Sequence, residues 1–319
     1  MKIVVLDDFT TTPGDLSWDK IAKCGELTVY DRTGADDAIS RIGDAEIVFT
    51  NKVVLTKEII DACPSIRFIC ETGTGFNNID VEAAAQRGIP VSNVPSYSTS
   101  SVAQMVFAYL LEIAQRASAH SASVHSGAWA ASPDFCFCDY PTFELEGKTL
   151  GIIGFGAIGQ RVAKIAKSFG MNILAYDLMA HPELESEQLR QTSLDELLSK
   201  SDIISLHTPQ NAASQGMINS DTISKMKNGA ILINTARGAC IVDADVRTAL
   251  DSGKLGFFAA DVLSQEPPKP DNPLLGAQNC LLTPHIAWMS FEARARLMDI
   301  LEQNVKAFLT GKPINVVNF

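Results

Sequence analysis

Residues 150–177 read LGIIGFGAIGQRVAKIAKSFGMNILAYD, and the order of their parts decides the fold. The apolar run 149–153 has the length and composition of a buried strand. It stops at Gly154-Phe155-Gly156-Ala157-Ile158-Gly159, three glycines at G-x-G-x-x-G spacing. Ile158, Val162, Ile165 and Ala166 then recur at helical intervals up to Gly170, a helix stop. A second apolar run, 172–176, ends on Asp177, eighteen residues past Gly159.

Each part has a physical reason. Gly154 permits a tight turn, Gly156 lets a pyrophosphate approach the backbone, and Gly159 lets helix and strand pack closely. The helix N-terminus offers free N–H donors and the positive end of its dipole to a phosphate. The acid closing the second strand accepts hydrogen bonds from the adenosine ribose hydroxyls. Leu178 and Met179 follow it, with no arginine to hold a 2′-phosphate, so the site predicts NAD rather than NADP. A bare glycine triplet is also an ordinary tight turn. Strand, triplet, helix, strand and terminal acid in sequence point to a dinucleotide site.

At 319 residues the chain has room for about two domains. A 46% apolar and 20% charged composition is that of a globular protein with sizeable cores. The net charge of −11 argues against nucleic acid or an anionic membrane as partner. No apolar run reaches the roughly 18–20 residues of a membrane span. The opening MKIVVLDDFT is too soon interrupted by Asp7 and Asp8 for a signal peptide. Seven scattered cysteines then fit reduced thiols and a cytoplasmic location. The close pair Cys136 and Cys138 has no matching His or Cys cluster, so no metal site is expected.

The first hundred residues alternate strand-like runs (2–6, 27–30, 46–50, 67–70, 90–92) with helical ones (16–23, 36–42, 56–63, 81–86). Asp80 is the expected N-cap of the last helix and Gly88 its stop. Such alternation means an open parallel sheet. Residues 96–119 read as one long helix leading from one domain to the other. Residues 120–146 read as irregular, packed either against another subunit or within the chain. Beyond them, strands are expected at 203–206, 230–234, 257–260 and 280–282, and helices at 193–199, 220–226, 243–250 and 290–309.

In this second half each expected strand is followed at once by a polar or unusual residue. They are Gly154, Asp177, His207-Thr208-Pro209, Thr235-Ala236-Arg237-Gly238, Asp261 and Pro284-His285. Ligands of open parallel sheets bind outside the carboxyl ends of the strands, so these residues are expected to face one crevice.

Several of these segments together resemble one family, the NAD-dependent D-2-hydroxyacid dehydrogenases. They are 151–160, 234–238 (NTARG), Asp261-Val262 with Glu266-Pro267-Pro268, and 283–288 (TPHIAW). The likeness extends to 72–80 (TGTGFNNID) and 101–104 (SVAQ). SPDFCF at 132–137, PHIAW at 284–288 and GKPINVVN at 311–318 are most similar to the glycerate dehydrogenase / hydroxypyruvate reductase branch. The fold class expected is α/β, with two doubly wound parallel-sheet domains. A flavodoxin-like substrate domain takes 1–98 plus 289–319, and a Rossmann NAD-binding domain takes 99–288.

The resemblance implies hydride transfer between NADH and a short 2-keto or D-2-hydroxy acid, hydroxypyruvate/D-glycerate first and glyoxylate second. His285 matches the acid/base and Glu266 its carboxylate partner, which stabilises the imidazolium. Arg237 suits the carboxylate and reacting oxygen of the substrate, because its planar fork holds charge and orientation together. Asp261 matches the acid that bonds the nicotinamide carboxamide. Ala157 and Ile158 lie at the phosphate turn. Thr208, Pro209, Thr235 and Ala236 line the adenosine and ribose path, with His207 packed near the adenosine. Thr74-Gly75 resembles the loop that meets the substrate carboxylate when the small domain closes, and Thr74 also the cofactor. Lys52 is a further substrate candidate. Trp288 is read either as a wall of the pocket beside the cofactor or as a packing residue.

Ala157 stands where many relatives carry Arg, and Gln104 where they carry Glu. Relatives are dimers with the region 101–129 at the interface, so a homodimer is implied. Two alternatives stay open: a broad D-lactate-type dehydrogenase, and an NAD(H)-sensing corepressor or scaffold.

Overall fold

A computed structural model describes residues 1–179 and 181–319. The chain divides into two compact units, Met1–Ser98 with Met289–Phe319, and Thr99–Trp288.

The first unit is built on a five-stranded sheet: β1 (Lys2–Val5), β2 (Glu26–Val29), β3 (Ile47–Thr50), β4 (Phe68–Glu71) and β5 (Val91–Ser92). The order is β2-β1-β3-β4-β5, every pair parallel. Strands β3 and β4 are buried at every position, as a sheet covered on both faces requires. Asp80 caps the helix Val81–Gln86 by accepting the Ala83 N–H at 2.9 Å, and Gly88 follows with φ +66°.

The chain's last segment returns to this unit. The helix Phe291–Leu309 buries Leu297, Leu301 and Val305, and Phe308 stacks on Phe68 with centroids 4.6 Å apart. The tail then runs along the free edge of β5. Val317 N–H donates to Val91 O at 2.9 Å, and Asn318 Oδ1 accepts the Val91 N–H at 2.9 Å. An edge that would otherwise offer unpaired backbone groups is thereby covered.

The second unit holds seven strands: β6 (Thr149–Ile153), β7 (Asn172–Tyr176), β8 (Leu189–Gln191), β9 (Ile203–Leu206), β10 (Ala230–Asn234), β11 (Leu255–Ala260) and β12 (Cys280–Leu282). Their order is β12-β11-β10-β9-β6-β7-β8, all parallel, so the winding reverses between β6 and β9. Two apolar layers sandwich the sheet. Leu150, Ile152 and Ile231 pack with Val106, Leu110 and Val162 in one, and Ile153, Ile204 and Leu232 with Leu197, Ile223 and Val246 in the other. Each such side chain taken out of water contributes about 2 kcal/mol. A Cβ on Gly151 would meet Ser201 Oγ at 2.4 Å and Leu197 Cδ2 at 2.5 Å, so this glycine sets how closely the helix Leu194–Lys200 lies on β6.

Three expectations are corrected. The helix foreseen over 96–119 spans Thr99–Gln115, breaks at Arg116 with φ +51°, and resumes as Ala117–His125. The segment 120–146 therefore begins helical, in a stretch (ASAHSASVH) that buries no residue and so carries no apolar period. An unforeseen strand, β8, pairs with β7 at the sheet edge; its three residues bury only Leu189, too little to show as a run. Among the described residues no helix is long and apolar enough to cross a membrane.

Candidate active site

Sheet register gathers the site. Tyr176, Ile153, Leu206, Asn234, Ala260 and Leu282 stand level across six adjacent strands, β7-β6-β9-β10-β11-β12. The next residue along each strand is Asp177, Gly154, His207, Thr235, Asp261 and Thr283. At about 4.8 Å per strand this row is roughly 24 Å long, enough to lay an extended ligand along it. It crosses the reversal point between β6 and β9, where open α/β sheets bind ligands.

The three glycines of the first turn differ in what holds them. Gly154 has φ +92°, and a Cβ there would lie 2.6 Å from the His207 carbonyl carbon. A Cβ on Gly159 would lie 2.3 Å from Gly154 O. A Cβ on Gly156 would meet nothing within 4 Å, and its φ of −71° suits any residue. Protein packing thus accounts for Gly154 and Gly159, whereas Gly156 faces open space where a ligand backbone would sit. Gly156 and Ala157 are exposed and Ile158 half-buried at the start of the helix Ala157–Ser168, whose N-cap residue, Gly156, has no side chain to cap it. Its first N–H groups are left for an anion.

Asp177 Oδ2 accepts the Phe155 N–H at 2.5 Å and Oδ1 the Met179 N–H at 3.0 Å. Across the reversal point, His207 Nε2 pairs with Ser205 Oγ at 2.9 Å while Nδ1 is buried without a partner among the described residues. Burial pushes the His207 imidazole down to about 3, so it stays neutral. Thr235 Oγ1 is likewise buried without a partner among the described residues. Thr208 Oγ1 lies 3.7 Å from Cys240 Sγ and 4.0 Å from Met217 Sδ, and Pro209 O accepts from Ser214 Oγ at 2.6 Å. Open space over Gly156, uncapped N–H groups and orphaned polar atoms on one row fit a dinucleotide.

The other end of the row carries the candidate reacting groups. Asn234 Oδ1 accepts the Ala236 N–H at 3.0 Å and its Nδ2 donates to Arg237 O at 2.9 Å, closing the turn that presents Arg237. The guanidinium gives one N–H to Ala236 O at 2.7 Å. A Cβ on Gly238 would fall 1.8 Å from Leu263 O, so this turn is packed directly against the segment leading to Glu266.

His285 Nδ1 lies 2.6 Å from Glu266 Oε2, both side chains about one-third exposed. Glu266 Oε1 accepts the Leu263 N–H at 3.1 Å. With Nδ1 engaged, Nε2 is the nitrogen left for chemistry. His285 sits three residues past Leu282 and Arg237 three past Asn234, two strands away on the same level line. The structure thus brings Arg237, Glu266 and His285 to one end of one sheet.

His285 has φ +56°, a left-handed conformation costing about 1 kcal/mol for a residue with a Cβ. Asp261, buried beneath it, offsets this cost. Its Oδ1 accepts the Ile286 N–H at 2.8 Å, its Oδ2 the Ala287 N–H at 2.7 Å, and its carbonyl the His285 N–H at 2.9 Å. Bonds to a charged acceptor are worth about 1.5–3 kcal/mol each, so the clasp wins. Asp261, expected to meet the carboxamide, therefore also holds the loop that carries His285. Trp288, half-buried, follows Ala287, whose carbonyl accepts from Ser101 Oγ at 2.6 Å.

Thr74, Gly75 and Lys52 belong to the other unit, past the level pair Thr50 and Glu71 at the ends of β3 and β4. Thr74 is exposed, its Oγ1 donating to Val94 O at 2.7 Å and its carbonyl accepting from Asn93 Nδ2 at 2.7 Å. Lys52 is exposed, with its N–H held by Asp7 Oδ2 at 2.5 Å. Under this loop Glu71 accepts from Asn78 Nδ2 at 3.0 Å, and burial pushes its carboxyl well above the usual range.

Two residues escaped the sequence reading. Asn234 opens the family-like segment 234–238, but nothing local assigns it the bonds that close the turn. Asp243 Oδ2 accepts from Ser264 Oγ at 2.6 Å and Asn272 Nδ2 at 2.8 Å, tying down the segment that carries Glu266. Its signal, an acid opening a helix, is shared by many solvent-facing positions.

A family model for the NAD-binding domain of D-isomer-specific 2-hydroxyacid dehydrogenases matches residues 107–287. The chain is 51% identical to hydroxypyruvate reductase of Blautia hydrogenotrophica, covering 100% of both chains. It is 38% identical to glycerate dehydrogenase of Methylorubrum extorquens, over 92% of each. Among solved structures it is similar to D-lactate dehydrogenase from Aquifex aeolicus complexed with NAD and lactic acid. The TM-score is 0.88 at 30% identity, covering 100% of this chain and 99% of that one.

Proposed function

The chain belongs to the D-isomer-specific 2-hydroxyacid dehydrogenases, and on that premise we propose that it reduces hydroxypyruvate to D-glycerate, with glyoxylate as a second substrate. It is an NAD-dependent oxidoreductase. The observation that carries the reading of the site is the His285–Glu266 pair at 2.6 Å, on the level line that also presents Arg237.

NADH, when bound along the row from Asp177 to Asp261, supplies a hydride to the carbonyl carbon. Asp177 takes the ribose hydroxyls, and the N–H groups at Gly156–Ile158 take the pyrophosphate. Arg237 binds the carboxylate and the keto oxygen of the acid, fixing the carbonyl face. As charge builds on that oxygen, protonated His285 delivers its Nε2 proton, and Glu266 stabilises the imidazolium through Nδ1. In the oxidative direction neutral His285 takes the hydroxyl proton. Trp288 walls the pocket.

The test is a comparison of initial rates of NADH oxidation with hydroxypyruvate, glyoxylate, pyruvate and 3-phosphohydroxypyruvate. Hydroxypyruvate should give the highest kcat/KM. Pyruvate equalling it would replace this reading by a broad D-lactate-type dehydrogenase, the alternative supported by the Aquifex aeolicus likeness.

The active form is a homodimer built on the region 101–129. Trp129, 51% exposed at the end of this region, supports this as apolar surface that a partner would cover. Light scattering should return twice the 34.4 kDa chain mass; a monomer at assay concentration would overturn it. Seven free thiols, two of them exposed, support the cytoplasm as its compartment. Recovery of the native protein from an oxidising compartment would contradict that.

A further inference from the structure

Behind the clasp on His285 stands a polar chain in the middle of an apolar layer. Tyr109 lies on the buried face of the helix Thr99–Gln115 among Val106, Leu110 and Ile113, and is 5% exposed. Its hydroxyl bonds Thr283 Oγ1, and Thr283 Oγ1 bonds Asp261 Oδ1. The direction follows from counting hydrogens. Both Asp261 oxygens already accept backbone N–H groups, so the carboxylate only receives. Thr283 therefore gives its one hydroxyl hydrogen to Asp261, and Tyr109 gives its own to Thr283. Burial holds the Tyr109 hydroxyl protonated far above the ordinary phenol range, so this donor is constant at any working pH. Donors in series polarise one another and stiffen the acceptor at the end. A tyrosine among aliphatic side chains needs a partner for its hydroxyl, and here that partner opens the loop bearing the acid/base.

We propose that Tyr109 and Thr283 are positioning residues for His285, acting through Asp261 to fix the 283–287 loop in the left-handed turn that sets the imidazole against the substrate oxygen. The inference rests on the reading of His285 given above. Neither residue touches the reacting atoms. Their loss should appear in the chemical step and not in the binding of either ligand, since a misplacement of about 1 Å costs rate far more than affinity.

The experiment uses the full chain and three variants, Tyr109→Phe, Thr283→Val and Thr283→Ser. Steady-state rates with hydroxypyruvate and NADH dissociation constants from fluorescence titration are measured alongside melting temperatures. Tyr109→Phe should lower kcat about tenfold with KM and the NADH Kd within about twofold. Thr283→Val should lower kcat further, and Thr283→Ser should restore most of it. Added to His285→Ala, Tyr109→Phe should have no further effect, because the two act on one step. Unchanged kcat in both Tyr109→Phe and Thr283→Val, beside a His285→Ala variant that is inactive, would overturn the inference alone. Full activity of His285→Ala would instead overturn the reading on which it rests. Equal loss of kcat from Tyr109→Phe with and without the His285 side chain would make Tyr109 a general structural residue and also refute the proposal.

Discussion

Asp177 Oδ2 accepts the Phe155 N–H at 2.5 Å, so the acid proposed to meet the ribose also braces the turn proposed to meet the phosphates. The acid and the turn are mechanically one piece. Replacing Asp177 by Ala should therefore weaken NADH binding by about ten- to a hundredfold, the loss of a charged acceptor. It should relax discrimination against NADPH without creating tight NADPH binding, because the turn slackens as well. Fluorescence titration with both nucleotides checks this; undiminished preference for NADH would remove Asp177 from cofactor choice.

The three glycines of that turn should separate cleanly on substitution. Gly156→Ala should fold with an unchanged Tm and lose most of its NADH affinity, since the new methyl meets only the space a ligand would occupy. Gly154→Ala should be destabilised outright, by about 1–3 kcal/mol or more, from its φ of +92° and the nearby His207 carbonyl. Calorimetry and nucleotide titration on both variants decide it. A stable Gly154→Ala with normal binding would contradict the packing described.

Removing the acid/base should leave binding intact. His285→Ala should lower kcat/KM at least about a hundredfold while NADH affinity stays within about twofold. Glu266→Gln keeps a hydrogen bond to Nδ1 but no charge. It should lower kcat/KM by less than His285→Ala does. A kcat/KM for Glu266→Gln equal to that of the parent would exclude the carboxylate charge from the mechanism.

His207 gives stability a pH dependence of known sign. Its folded value of about 3 lies below the ordinary 6.5, so between these values the unfolded chain binds a proton that the folded chain refuses. Stability then rises with pH across that window and is lost as pH falls below about 6.5, by up to about 1.4 kcal/mol per unit from this group. A His207→Gln variant should lose less Tm between pH 7 and pH 5 than its parent. Parallel losses in the two proteins would show that the imidazole charges without unfolding.

Much of this was legible in the amino-acid order. The runs 149–153, 172–176, 230–234 and 280–282 are strands at those bounds, because buried parallel strands are apolar on both faces and stand out without any period. The polar residue after each was visible too, and the register turns those residues into a single row. Leu189–Gln191 was hidden because a short edge strand needs only one buried side chain. The break at Arg116 was hidden because an αL residue interrupts helical φ and ψ without interrupting helix-forming composition. At the site, the pairing of His285 with Glu266 was supplied by resemblance, since nothing local joins residues nineteen apart. The clasp of Asp261 on residues 283–287 depends on β11 and β12 being neighbours, a fact of topology that no window of sequence contains.

The tail laid along β5 fixes an order of assembly. The unit Thr99–Trp288 is contiguous and holds its whole sheet once residue 288 has been made, whereas the other unit waits for Met289–Phe319 to seal its open edge. During synthesis the portion made first is thus the last to mature, and it spends that interval as a sticky, half-finished layer. A chain truncated after Trp288 should yield a protease-resistant core from 99–288 beside a digested N-terminal portion; equal survival of both would refute this timetable.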